Sequence, residues 1–82
     1  MFSRKGNQMN KHTAVAPDNS KVFTRNSKTA LYTHLTVVQE NGEWFPISWH
    51  KSEKAANQRK HEWNASPYVA GIPCKILEVE VA

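Results

Sequence analysis

The sequence has one cysteine, Cys74, three glycines and few acids for its length of 82 residues. A lone thiol excludes an internal disulfide and leaves no thiolate pair for a structural zinc site. Gly6, Gly42 and Gly71 are too scattered to build a loop that cradles phosphates. No run approaches the roughly 18 apolar residues of a membrane-spanning helix. Met1-Phe2-Ser3-Arg4-Lys5 has charge but no apolar stretch behind it, so no secretion signal is expected. These absences point to a soluble, cytoplasmic protein in a reducing compartment, with no membrane partner. Asn64-Ala65-Ser66 matches a glycosylation acceptor that such a protein has no occasion to use.

Acids are scarcest at the amino terminus. Residues 1–28 carry Arg4, Lys5, Lys11, Lys21, Arg25 and Lys28 against Asp18 alone, while the remaining residues carry five Lys/Arg against six acids. The formal charge of +4 therefore resides in the first third. A basic segment on a near-neutral body favours an acidic polymer. Residues 1–20 read as a flexible basic arm, closing at Ala16-Pro17-Asp18-Asn19-Ser20, and residues 21–82 as a single small α+β domain. Met9 offers a second translation start beside Met1. A body of about 60 residues is near the lower limit for a self-sufficient core, so a homodimer is compatible with it, and the last strand offers an edge.

Lys21 to Arg25 alternates and predicts a short strand; Leu31 to Gln39 predicts the longest one. Asn41-Gly42 is the strongest hairpin signal in the chain, returning Glu43 to His50 alongside. A two-residue turn there pairs Val38 with Phe45, Thr36 with Ile47 and His34 with Trp49, and that face is expected to meet the core. Pro46 cannot donate to a ladder, which predicts an edge position or a bulge near it. Ser52 is a natural N-cap, with Glu53 complementing the dipole of a helix that runs to Trp63 or Asn64. Its apolar stripe is thin (Ala55, Ala56, Trp63), so Trp63 is the expected anchor. Ser66-Pro67 stops it, and Cys74 to Val81 alternates as a final strand. The fold class is α+β: a small antiparallel sheet in ββ hairpin, α, β order, with one helix packed on a face.

The histidines His12, His34, His50 and His61 show no metal-ligand spacing, and the predicted register turns His34 and His50 to opposite faces. Cys74 has no His or Asp near it in sequence and reads as a buried small residue. No catalytic residue, metal or cofactor is expected, and the chain is read as not an enzyme.

What remains is binding chemistry. Lysines and arginines gain affinity for nucleic acid by releasing condensed counterions, and exposed aromatic rings stack unpaired bases. The candidate RNA-binding residues are Arg4, Lys5, Lys11, Lys21, Arg25 and Lys28, with Lys54, Arg59 and Lys60 as an extension and Tyr32 and Trp44 as stacking rings. Lys51, Lys54, Gln58 and His61 share a helical face that extends the basic surface or simply solubilises the helix.

Three stretches carry a resemblance: Tyr32-Thr33-His34-Leu35-Thr36-Val37-Val38, Ser48-Trp49-His50-Lys51-Ser52-Glu53-Lys54-Ala55-Ala56, and Ile76-Leu77-Glu78-Val79-Glu80-Val81. With the basic amino terminus, they resemble small accessory proteins of tailed bacteriophages over most of residues 25–82. In size and charge the chain is most similar to counter-defence members that bind RNA and inhibit an RNase toxin of a toxin-antitoxin system. The resemblance implies RNA and a host nuclease, or another defence protein, as partners in the host cytoplasm. A direct protein-binding inhibitor of the anti-CRISPR kind and a DNA-binding accessory protein are the alternatives.

Overall fold

The computed structural model describes residues 9–69 and 71–82. Its elements are β1 (Asn10–Val15), β2 (Val22–Ser27), β3 (His34–Glu40), β4 (Glu43–His50), α1 (Glu53–Ala65), β5 (Cys74–Glu78) and β6 (Glu80–Val81). They form two three-stranded antiparallel sheets, ordered β2-β1-β6 and β4-β3-β5. The expected hairpin, helix and last strand as far as Glu78 make the second sheet with α1 against it, so the α+β class holds. The strand expected to run on to Val81 is interrupted at Val79, whose amide donates to Thr33 O at 2.9 Å, and Glu80–Val81 joins the first sheet as β6.

The first sheet corrects the flexible arm expected over residues 1–20. Residues 10–15 are a strand, paired from Asn10↔Ser27 to Val15↔Val22. Residues 1–8 lie outside the described residues. The arm hid a period of two: His12, Ala14 and Ala16 point inward and are buried, while Lys11 and Val15 are exposed on the other side. Small and polar residues give that alternation little hydrophobic contrast, so composition alone reads it as solvated chain. The β1–β2 connection is held at Ala16 N, which donates to Lys21 O at 3.0 Å. Within it Asn19 takes a left-handed φ of 62°. Asp18 accepts from both the hydroxyl and the amide of Ser20, and these bonds hold its carboxyl below the usual carboxylate range.

Asn41 and Gly42 both have positive φ, 53° and 80°, as a type I′ turn requires. The register beyond the turn is the expected one as far as Val37↔Pro46. It then slips between Thr36 and Val37, giving Thr36↔Ser48, Leu35↔Trp49 and His34↔His50. The irregularity sits beside Pro46, and β4 is an edge strand, so both consequences foreseen for that proline are present.

The expected core face meets α1 at Thr36 and Val38, while Phe45 on it stays exposed, and the opposite face is buried too. There Leu35, Val37 and Trp44 pack with Ala14, Ala16 and Phe23 of the first sheet, joined by Trp49, Leu77 and Val79. Thr36, Val38 and Cys74 are buried on the α1 face, with Ala56 wholly enclosed. Strand β3 is thus covered on both faces. β4 and β5 run parallel to each other on either side of it, and α1 makes the crossover. Ser52 caps α1 by accepting from Ala55 N, and Trp63 Nε1 donates to Ile72 O at 3.2 Å, tying the end of the helix to the chain entering β5.

His12 joins the layers. Its Nδ1 lies 3.0 Å from Arg25 O, and its Nε2 accepts from Tyr32 N at 3.0 Å. A backbone amide can only donate and a carbonyl can only accept, so the ring is the Nδ1–H tautomer. One side chain thereby bonds β1 to β2 and to the segment entering β3. His12→Ala leaves two backbone groups unpaired and opens a cavity, and is expected to cost about 2–4 kcal/mol in urea unfolding. Lys11→Ala, one residue away on the exposed side, is expected to stay within about 0.5 kcal/mol. Equal effects of the two substitutions would contradict this role for His12.

Candidate nucleic-acid interface

Strand β2 sends Phe23 into the core, so Arg25, two residues on, points to the same side near the sheet end. There its guanidinium lies over the Tyr32 ring, 4.9 Å from the centroid. Tyr32 meets His12 edge-on at 5.1 Å and Trp49 at a tilt at 6.1 Å. The result is a half-buried aromatic shelf with a cation on its outer side. Lys28 is exposed just beyond β2, and Lys11 sits on the open face of the first sheet opposite Asn26. Neither lysine has a carboxylate partner among the described residues. This end of the sandwich combines free cations with π surface.

The other predicted residues divide differently. Lys21 is at the opposite end of the hairpin, 3.6 Å from a Glu43 carboxylate and 5.3 Å from the Phe45 ring centroid, so its charge already has local partners. Trp44 is corrected as a stacking ring: only 4% exposed, it belongs to the core. Lys54, Arg59 and Lys60 lie on α1, on the far side of the second sheet from Lys11, and Arg59 pairs loosely with Glu62 at 3.7 Å. Arg4 and Lys5 lie outside the described residues. The basic residues therefore form two groups on opposite faces of the central sheet.

Three residues at this end have roles that the sequence reading did not give them. Trp49, expected in the core, packs against it half-buried and also lines the shelf. His34 and His50, expected on opposite faces, are direct cross-strand neighbours, because the slip beside Pro46 moves His50 by one position. His50 Nε2 lies 2.9 Å from both Thr36 Oγ1 and Ser48 Oγ. Burial, then the positive charges of Arg59 and His34, hold the His50 pKa below its ordinary value. Cys74 is buried, and burial pushes its thiol up. No group of three or more metal-binding side chains occurs among the described residues, and no helix there is long and apolar enough to cross a membrane.

No protein-family model, no curated protein and no solved structure matches the chain.

The unfolded chain protonates His50 more readily than the folded one. Stability is therefore expected to be complete above pH 6.5, to fall as the pH drops below that value, and to level off once the folded imidazole is also charged. Urea midpoints measured across that interval should show a slope that His50→Gln reduces; an unchanged slope would refute the assignment. Cys74 should react with a thiol reagent only as fast as the protein opens.

Proposed function

We propose that this is a non-catalytic RNA-binding protein of the phage counter-defence kind, similar to TifA. It inhibits a host defence nuclease, an RNase toxin of a toxin-antitoxin system, by binding it together with RNA. The observation that carries the RNA reading is the Arg25–Tyr32 stack beside Trp49, flanked by the free cations Lys11 and Lys28. Cations contribute the counterion term and the rings a stacking surface, a pairing that suits unpaired nucleotides better than a duplex groove. A single helix among the described residues provides no helix-turn-helix for reading duplex DNA. The phage and toxin elements rest on the sequence resemblance.

A second reading rests on β2. It is the outer strand of its sheet, six residues long, without proline or register slip, whereas the β4 edge carries both. An open edge of that kind can accept a strand from a target protein directly, the mode of an inhibitor that needs no RNA.

Protein purified from cells should elute with nucleic acid that RNase removes and DNase does not. Replacing Lys11, Arg25 and Lys28 by alanine should weaken RNA binding about tenfold or more and lower the salt dependence by about 0.7 in log–log slope per lost phosphate contact. Unchanged retention in that variant would overturn the RNA reading. Full-strength binding of the target by nuclease-treated protein would favour the β2 edge.

A further inference from the structure

We propose that His34 and His50 form a second phosphate-binding site, on the α1 side of the central sheet, that takes a backbone phosphate of single-stranded RNA. The proposal rests on the RNA reading above and extends it to residues outside the basic amino-terminal group.

The site is built by the slip in β4. Without it His50 would face the first sheet; with it, His50 stands directly opposite His34 and on the side of Thr36 and Ser48. Each ring is held at one nitrogen by hydroxyl groups. Thr33 Oγ1 lies 2.8 Å from His34 Nδ1, and Thr36 and Ser48 hold His50 Nε2. The other nitrogen of each ring, His34 Nε2 and His50 Nδ1, has no hydrogen-bond partner among the described residues. Two oriented imidazoles with one nitrogen each to spare suit a group that accepts from both, and an anionic oxygen does so best when the rings are protonated.

The surrounding charges are mixed. The positive charge of Arg59 on α1 acts on His50. Lys51 follows His50 directly and is exposed. The carboxylates nearby are Glu78, the register partner of His34 on β5, and Glu62, which takes Arg59 at 3.7 Å. Neither histidine makes an ion pair with a carboxylate among the described residues.

Position supports RNA over a free anion. Trp49 and His50 are adjacent on an edge strand and project to opposite faces, Trp49 toward the Arg25–Tyr32 shelf and His50 toward α1. Thr33 N donates to His50 O at 2.8 Å, which keeps the chain from Tyr32 to His34 against that edge. A single strand leaving the shelf can bend round the exposed edge and place its next phosphates on the histidine pair. The pair thereby joins two basic groups that lie on opposite faces of the sheet. A rigid duplex cannot follow that turn.

The test uses the full chain and a fluorescent single-stranded RNA of about 12 nucleotides, titrated at about pH 8 and about pH 6. Wild-type protein should bind about three- to tenfold more tightly at the lower pH. The His34→Gln, His50→Gln double variant, shown to be folded by its thermal transition, should match wild type at the higher pH and lose the gain on acidification. His34→Gln alone, which spares the Thr36–Ser48–His50 contacts, should lose part of it. A double variant that keeps the whole gain overturns the site while leaving the RNA reading standing. Wild type that binds no RNA at either pH overturns both. Inorganic phosphate that perturbs the imidazole resonances, combined with RNA binding indifferent to pH, identifies a free-anion site and also overturns the proposal.

Discussion

The arrangement depends on one buried imidazole. His12 is completely enclosed, donates from Nδ1 to a carbonyl on β2 and accepts at Nε2 from the amide of Tyr32. A buried polar ring is tolerable only when both nitrogens are satisfied, and here the partners come from two different segments. Their bonds fix where Tyr32 enters the structure. Tyr32 in turn positions the platform on which Arg25 and Trp49 rest. The same residue that closes the gap between the sheets thus determines the geometry of the basic end.

The central strand explains why so short a chain holds two sheets and a helix. β3 buries Leu35 and Val37 against the first sheet and Thr36 and Val38 toward the helix, so each of four consecutive side chains contributes to a core. A fully buried aliphatic side chain contributes about 1.5–3 kcal/mol, and a strand used on both faces makes a thin helix sufficient on one of them. That accounts for α1, which encloses Ala56 alone and leaves most of its length solvated.

Electrostatics and topology divide the molecule lengthwise. At the turn end, Lys21 is matched by Glu43, with Asp18 and Glu40 nearby in the hairpin connections. At the other end, Lys11, Arg25 and Lys28 have no carboxylate partners among the described residues, and the two histidines face each other. From Lys11 to Lys28, the charge surplus of the first 28 residues therefore sits on and beside paired strands. Its described part is sorted by strand register into one neutralised lysine and one cationic end.

Much of this was legible locally. The Asn41-Gly42 hairpin, the Ser52-capped helix, the strand from Cys74 and the irregularity at Pro46 follow from turn chemistry, capping and a missing amide, which act within a few residues. The α+β class and the basic bias followed from the same reading. β1 was not legible, because Ala14, Ala16 and His12 carry little hydrophobic contrast, and His12 is satisfied by groups 13 and 20 residues away. Nor was the burial of Trp44, which depends on a second sheet that the strand pattern did not announce. The meeting of His34 with His50 was decided by a slip of one residue, and in a structure of period two a single residue exchanges the faces of everything beyond it. Sequence determined the elements that local chemistry marks and where charge is concentrated. Tertiary structure decided which faces close together and which side chains share a surface, because those depend on register and long-range contact.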